Sequence, residues 1–544
     1  MGLTVRQLVN EAPDPTGFRR VVFSWFCVPL TFVCLLASSI AGLSFAPAQN
    51  EMQQIAEAIQ SGKLKEAEAA LESLLKSQPN SAEAYRLLGA VFEREQKFQQ
   101  AERALQTAAE LSGEKDPQAL FLLCQTEFDL KKKTEALGLA HQLAALAGDN
   151  PQAHYALGRL LRENGVTPEA IQELATAVRL APGNPAVTTE LIVAYLDDGR
   201  AQEADALLKS FIRSASYEDL LNAGSRLGET GKSAAAVEVF ERAVRLKPDS
   251  YDATFNLGFA YYHQGNWEKA LDTLNRIPPQ LAGNQADYHY LRGKIEAALH
   301  QEQAAGEEYL AALKLEPDNE SLCSDAGLLF FHFENFWKSL DVYEKCAQRL
   351  PDSAPIETGF ALTYFRLGKY DDAASTFQKV LNLRPDADAA REALAFLDYV
   401  SGHLVEAKHL LESRLNSAGA DYYLYYLHAL VLVRLDPSGE HSGALRSLDE
   451  SLRLNPQFAP AYFQRAKLRN DAGDTSRALA DLDTATRLDR TYAEPFYLIA
   501  QIDYRLGQKE QAEQARHEYT IREKEREEQQ QKQLVENRLL ETLQ

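Results

Sequence analysis

A stretch that could bind a nucleotide is the first chemical feature of the sequence. Residues 228–233 read Gly-Glu-Thr-Gly-Lys-Ser, which ends as a phosphate-binding loop does. Such a loop needs the pattern G-x-x-x-x-G-K-[ST], so that backbone amides wrap the phosphates and the lysine reaches them. Five positions before Gly231 the sequence has Arg226 instead of glycine. The stretch therefore predicts no ATP site.

Other reactive residues are too scattered to predict a catalytic or metal site. The 11 histidines show no H-E-x-x-H spacing, and the chain has neither a C-x-x-C pair nor a nucleophile elbow. Cys124, Cys323 and Cys346 are expected to be small buried residues, although a bridge between the last two stays open in an oxidising compartment. We expect a chain that is not an enzyme, with no cofactor and no metal.

The charge balance argues against nucleic acid as a partner. The chain has 57 lysines and arginines against 78 acidic residues, a formal net charge of -21 and a pI of about 5.1. Binding to a phosphate backbone depends on clustered cations that displace counterions. Nucleic acid is therefore not the expected partner.

The first 48 residues differ from the rest of the chain. An uncharged segment, residues 21–45, follows Arg19 and Arg20 and precedes Ala46-Pro47-Ala48, a small-x-small cleavage pattern. The pattern predicts an export signal that is cut after Ala48. The segment is also long enough to span a bilayer, so an uncleaved membrane anchor is the alternative. We expect the chain outside the cytoplasm, in the periplasm or on the extracellular face of a membrane.

Beyond residue 48 an internal repeat predicts the elements that position the side chains. A small residue recurs at thirteen spacings, nine of which are 34 residues. We call these residues the ladder: Ala67, Ala101, Ala136, Ala170, Ala204, Ala236, Ala270, Ala305, Ser339, Ala373, Ala407, Ala444, Ala478 and Ala512. Glycine is common five positions before the ladder and proline twelve after it. The glycine predicts a turn between two helices and the proline predicts the end of the second helix.

The pattern resembles the tetratricopeptide repeat, a helix-turn-helix unit of about 34 residues. The seventh repeat, beginning at Tyr251, has Leu257, Gly258, Trp267 and Ala270 in family positions. The resemblance implies an all-α fold, an α-solenoid (a right-handed superhelix) of about fourteen repeats. We assign residues 1–48 to the signal or anchor, 49–515 to the array and 516–544 to a charged C-terminal helix.

The resemblance also implies a partner-binding groove. In the family, positions 2, 5, 9, 12 and 13 of each first helix point into a concave surface. In repeats 7 to 11 these positions give Phe255, Phe259, Tyr262, His263, Tyr290, Lys294, Phe331, His332, Phe365, Arg366, Phe396 and Tyr399. Aromatic and arginine side chains favour a peptide with apolar anchors and an acidic group. The alternative is that the aromatic rings only fill gaps between helices. Arg159 and Arg162, in an earlier repeat, are expected to be solvated.

These observations favour a non-catalytic protein–protein interaction scaffold or adaptor in the cell envelope. One alternative is an assembly factor for a pilus, secretion or polysaccharide-export apparatus. A second is the substrate-binding half of a glycosyltransferase-like enzyme, which is disfavoured because no stretch outside the array is long enough for a catalytic domain. Membrane association would depend on residues 21–45 remaining attached.

Overall fold

The computed structural model describes residues 46–415 and 420–543, with side chains for 52–415 and 420–526. Within these residues the regular structure consists of 29 helices, with no strand. The predicted signal or anchor lies outside the described residues, except for residues 46–48, which begin the first helix. Among the described helices, none combines the length and apolar character that crossing a membrane requires.

The first seven repeats are helix pairs. Their bounds are α1 (Ala46–Gln60) and α2 (Leu64–Ser77), α3 (Ala82–Arg94) and α4 (Phe98–Leu111), α5 (Pro117–Asp129) and α6 (Lys133–Ala147), α7 (Pro151–Glu163) and α8 (Thr167–Leu180), α9 (Pro185–Asp197) and α10 (Ala201–Ser214), α11 (Tyr217–Glu229) and α12 (Ser233–Leu246), α13 (Tyr251–His263) and α14 (Trp267–Leu274). A short helix, α15 (Pro279–Ala282), follows the seventh pair.

Seven further pairs complete the array. Their bounds are α16 (Ala286–Ala298) and α17 (Glu302–Leu315), α18 (Glu320–His332) and α19 (Phe336–Arg349), α20 (Ala354–Arg366) and α21 (Tyr370–Leu383), α22 (Asp388–Ser401) and α23 (Leu404–Leu415), α24 (Tyr422–Leu435) and α25 (Ser442–Leu454), α26 (Ala459–Asp471) and α27 (Thr475–Leu488), α28 (Glu494–Arg505) and α29 (Lys509–Leu543). The fourteen predicted repeats are confirmed. Residues 516–543 continue the second helix of the last pair.

The ladder forms the centre of each pair. All fourteen ladder residues lie in second helices, and none is more than 6% exposed. Ser339 replaces alanine without leaving a buried hydroxyl unpaired, because its Oγ donates to the carbonyl oxygen of Gly327 at 2.9 Å. Twelve positions before ladder residue Ala236, on the first helix, a Cβ on Gly224 would lie 2.6 Å from the Phe240 ring. Small residues therefore occur where the two helices of a repeat cross closely.

Side-chain hydrogen bonds cap the N-terminus of many of the helices that begin a repeat. A serine, asparagine or aspartate side chain accepts from a backbone amide of the first turn at nine of these helices, which fixes the start of the helix. The nine residues are Ser81, Asp116, Asn150, Asn184, Ser216, Ser250, Asn319, Ser353 and Asp421.

The turn between the two helices of a repeat requires a left-handed backbone. Nine glycines adopt it five positions before the ladder, with Gly231 at φ 74°. Four other repeats place Gln96, Lys131, His300 and Glu334 in the same conformation at the same position. The turn geometry is thus imposed by the packing of the two helices, even where the residue is not glycine.

Repeat 7 departs from the pattern at its end. Its second helix, α14, ends early, at Leu274, and Pro278 and Pro279 follow. A helix cannot continue through these residues, because proline has no amide hydrogen to donate and its ring clashes with the preceding turn. The described residues form two compact bodies that separate near this point. We call residues 46–284 with 294–299 the N-terminal body, and residues 285–293 with 300–543 the C-terminal body.

A disulfide joins the two helices of repeat 9. Cys323 on α18 and Cys346 on α19 are bonded, with their Cα atoms 6.1 Å apart. The favoured expectation, that both are unlinked small residues, is therefore wrong, because facing positions of the two helices bring the sulfur atoms together. Cys124 is a free buried thiol as expected, and burial raises its pKa to about 12.

The turn geometry gives a prediction about glycine substitutions. Gly231→Ala should lower the free energy of unfolding by about 1 kcal/mol, because the site has space for a methyl group but needs a left-handed backbone. Gly138→Ala, in the exposed interior of α6, is the matched control and should raise stability by about 0.5–1 kcal/mol. Urea denaturation measures both. Changes of the same sign would contradict the role of the turn.

Candidate partner-binding site

The first helices of neighbouring repeats contact one another within each body. In the N-terminal body α7 packs on α9, α9 on α11 and α11 on α13, and in the C-terminal body α18 packs on α20 and α22 on α24. Contacts between neighbouring second helices are sparser. Such packing places first helices on the inner side of a curved stack, where the resemblance places ligand-binding residues.

In the N-terminal body, the aromatic side chains along one face of α13 pack against one another. Phe255 is 2% exposed and stacks on Tyr251 and Phe259, with ring centroids 5.6 and 6.4 Å away. Phe259 is buried too and meets the edge of His263 at 4.4 Å. These two phenylalanines mainly pack the interior, because little of either ring reaches the surface.

Three other predicted residues of this body are partly accessible. Tyr262, His263 and Lys294 are half-buried. Burial, and then the nearby charge of Lys294, lowers the pKa of His263, so its imidazole is held in the neutral form. This group presents an aromatic hydroxyl, a neutral imidazole and a cation on the first helices of repeats 7 and 8.

In the C-terminal body, Phe331 and Arg366 form a cation–aromatic contact between repeats 9 and 10. Phe331 is buried and meets Phe336 edge-on at 5.5 Å. The guanidinium of Arg366 lies 5.5 Å from the Phe331 ring centre and 4.5 Å from that of Phe336. His332, one residue beyond Phe331, is exposed.

The remaining predicted residues of this body are half-buried and contact neighbouring repeats. The rings of Phe365 and Phe396 lie 6.4 Å apart. Tyr290 donates a 2.7 Å hydrogen bond to Asp325, and the guanidinium of Arg434 lies 5.1 Å from the Tyr399 ring centre. Their contacts leave part of each ring open to a ligand, so the binding role of this set stays a prediction.

A buried ion cluster in the N-terminal body was not anticipated. Glu190 is 2% exposed and accepts a hydrogen bond from Arg226 Nε, while Arg162 Nε lies 3.2 Å from its other oxygen. Arg159 Nε is 3.9 Å from the same carboxylate, and Arg162 also donates to Asp197. The expectation that Arg159 and Arg162 are solvated is wrong, because the next repeat places a carboxylate between them.

Asn256 is a second feature that sequence reasoning missed. Its side chain is 1% exposed, and neither its amide nitrogen nor its oxygen has a hydrogen-bond partner among the described residues. It follows Phe255 on α13. Burying an amide without hydrogen-bond partners is unfavourable. Asn256 therefore places an unsatisfied polar group next to Phe255 on α13.

Contacts between neighbouring repeats have a signal in the sequence: complementary polar residues that lie about one repeat length apart. Thr126 donates to Glu93, 33 residues away, and Arg226 donates to Glu190, 36 residues away. The 35-residue pair of Tyr290 and Asp325 follows the same rule. Searching the sequence for complementary residues near the repeat length would have found these pairs.

The nucleotide-like stretch is a turn between helices, as expected. Its glutamate ends α11, Gly231 adopts the left-handed turn and Ser233 begins α12. Lys232 pairs with Asp197 at 2.5 Å, so its ammonium group already has a partner. Among the described residues, no cluster of histidine, cysteine and acidic groups could hold a metal ion.

Glu392 is the most perturbed carboxyl on a predicted groove helix. It lies on α22, one helical turn before Phe396, and burial raises its pKa from 4.5 to about 8. The negative charges of Asp421 and Asp388 contribute to this shift, after burial. The side chain is therefore largely protonated at neutral pH and can donate a hydrogen bond.

Comparison with protein families identifies the repeats. Two family models, both described as tetratricopeptide repeat, match this chain. One matches residues 229–295 and 364–431, and the other matches residues 54–119, 125–185 and 155–219. Together these segments cover more than half of the chain.

Individual relatives are distant. BBSome complex member BBS4 of Bos taurus is 25% identical over 295 residues, which are 47% of this chain and 56% of that protein. Protein FlbA of Caulobacter vibrioides is 31% identical over 38% of this chain and 34% of its own length. The chain thus matches about half or less of these relatives. The crystal structure of a tetratricopeptide repeat protein from Parabacteroides merdae is 19% identical, with a TM-score of 0.33 over 44% of this chain and 93% of that one.

The raised pKa of Glu392 predicts a pH-dependent stability. Between pH 4.5 and 8 the folded chain keeps a proton that the unfolded chain loses, so the free energy of unfolding should fall as pH rises. Glu392→Gln should remove this penalty, which is at most about 4 kcal/mol at pH 8, and should change little near pH 4. Urea denaturation at both pH values, with the exposed Glu344→Gln as control, tests this. An equal effect at both pH values would be inconsistent with it.

Proposed function

Because the chain belongs to the tetratricopeptide repeat proteins, we propose that it is a non-catalytic scaffold that binds partner proteins outside the cytoplasm. The first helices of repeats 7 to 11 supply the binding residues. One named relative is a member of a protein complex, which supports a role in protein association.

The observation that carries this proposal is that each body leaves a mixed aromatic and cationic surface accessible on its own first helices. Within the N-terminal body it comprises Tyr262, His263 and Lys294. Within the C-terminal body it comprises Tyr290, Phe365, Arg366, Phe396 and Tyr399. Aromatic and arginine side chains contribute most to protein interfaces, and cations attract the carboxylates of a peptide. Phe255 and Phe259 in the N-terminal body and Phe331 in the C-terminal body are buried and pack beneath these accessible side chains.

Location outside the cytoplasm is supported by two features. The sequence of residues 1–48 resembles an export signal or anchor. The disulfide between Cys323 and Cys346 fits the same proposal, since disulfides persist in oxidising compartments and are rare in the cytosol. The two features lie far apart in the chain and are independent of each other.

A photo-crosslinking experiment tests the binding surface. A photoreactive phenylalanine analogue is placed at Tyr262 or Tyr399 in the full chain, and at Leu246, an exposed residue of second helix α12, as control. We expect a partner protein to crosslink at the two tyrosine positions and not at Leu246. Tyr262→Ala with Tyr399→Ala should then weaken its binding at least about tenfold. Equal crosslinking from Leu246 would refute the assignment.

Export is tested by the mature N-terminus and by fractionation. We expect the chain recovered from its native cells to begin at Gln49 and to carry the Cys323–Cys346 bond. A chain that retains residues 1–48 in the membrane fraction would establish the anchored alternative. Recovery of the chain from the cytosol with both thiols reduced would contradict export. A stable complex with an envelope apparatus would narrow the scaffold to an assembly factor.

A further inference from the structure

Three consecutive repeats expose large apolar side chains at the start of their second helices. Trp337 in repeat 9 is 65% exposed, Tyr370 in repeat 10 is 50% exposed, and Val405 in repeat 11 is 67% exposed. In repeats 3 to 6 the corresponding pairs of residues are Lys-Thr, Thr-Pro, Ala-Gln and Ser-Ala. Trp267 at the start of α14 in repeat 7 is also 38% exposed, but only a run of adjacent repeats that share such a residue forms a larger apolar area, which marks an interaction site more often than a single residue does.

Cations cover aromatic rings at this edge of the C-terminal body. Lys369 Nζ lies 5.4 Å from the Trp337 ring centre and 5.6 Å from that of Tyr364. Lys338 Nζ lies 4.5 Å from the Phe330 ring centre. The ring faces attract the two lysine side chains, but an aromatic ring does not neutralise the charge of a lysine as a carboxylate would.

Comparison with other repeats shows why Lys369 differs. The turn lysines of repeats 2 and 3, Lys97 and Lys132, reach back to Glu68 at 3.1 Å and Glu102 at 2.6 Å. Each glutamate directly follows the ladder residue of the preceding repeat. In repeat 9 that position is Leu340, and Lys369 contacts Trp337 instead. The substitution removes the carboxylate and leaves a lysine without an ion-pair partner among the described residues.

The acidic residues nearby do not compensate for this change. Glu334 lies 3.6 Å from Arg366, and both side chains are exposed. Asp371 and Asp372 begin α21, but neither is within ion-pair distance of Lys369. The edge therefore combines exposed aromatic area with a positive charge that is available to an incoming anion, in a chain whose net charge is -21.

We propose that this edge binds an acidic segment of a partner protein that carries an apolar side chain next to its carboxylates. We call it the Trp337 surface, formed by Trp337, Lys338, Arg366, Lys369 and Tyr370. A carboxylate of the segment pairs with Lys369, while its apolar side chain packs on the open faces of Trp337 and Tyr370. An anionic membrane is disfavoured, because its uniform negative charge would also lie against Glu334, Asp371 and Asp372, whereas a peptide can place a carboxylate at Lys369 and its apolar side chain elsewhere. The surface shares Arg366 with the proposed groove and lies mainly on the turns and second helices.

Selection from a library of random short peptides tests the proposal on the full, oxidised chain. Peptides are selected on the wild type and depleted on the variant carrying Trp337→Ala and Lys369→Glu. We expect enriched peptides that are rich in aspartate and glutamate and contain an aromatic or aliphatic residue. In fluorescence anisotropy, each single substitution should weaken the best peptide at least about tenfold, and added salt should weaken it further. Tyr504→Ala, which removes an exposed aromatic of repeat 14, should leave binding unchanged.

Each other outcome overturns the proposal. Failure to enrich acidic peptides, or equal binding by Trp337→Ala, would show that the edge has no such ligand. Loss of the same peptide in Tyr262→Ala would place it in the groove. Binding to phosphatidylserine vesicles that depends on Trp337 would assign the edge to a membrane. The proposed groove is tested separately by crosslinking from Tyr262, so either proposal can fail while the other stands.

Discussion

The close crossing of two helices at a small residue is the constraint on which the rest of this structure depends. The ladder residues are buried in all fourteen repeats, and each crossing allows a large side chain to fill the space beside it. Tyr343 shows the effect, since its ring packs against the backbone of both Gly327 and Gly359, one repeat apart. A helix pair cannot bury its apolar face alone, so each repeat is stable only against its neighbours. Left-handed turns follow from the same crossing, because the chain must reverse within about three residues.

Polar contacts between repeats have a different role from the apolar core. Glu190 is surrounded by three arginines from two other repeats, and several of the atoms involved are buried. Burying charged groups is costly, and their mutual attraction offsets that cost only when the geometry is good. Such a network therefore contributes little net stability, but it strongly disfavours any neighbour that lacks the matching charges. It therefore favours the packing of repeats 4, 5 and 6 that keeps these charges paired.

The sequence was sufficient to predict the helices, the ladder and the glycine turns, because each depends on contacts within one repeat. Ser339 was recognised as a ladder residue, and its hydrogen bond to Gly327 explains why serine is tolerated there. Contacts across repeats were harder to predict. Whether Arg162 meets water or Glu190 depends on the angle between neighbouring helices, which helical periodicity does not give. The same limit applies to the site, where burial separates Phe255 from Tyr262 although both occupy positions of one helix face.

The covalent link in repeat 9 affects how the array comes apart. A linear stack has no long-range contacts to hold its termini, so helices at either end can detach one pair at a time. An ordinary repeat unfolds in this process when its two helices separate from each other. In repeat 9 the bond between Cys323 and Cys346 keeps the chain segments of α18 and α19 linked after their neighbours have left, even though the pair is not stable alone. The tether limits the conformations that the detached repeat can adopt and the length to which it can be extended, until a reductant reaches the sulfur atoms.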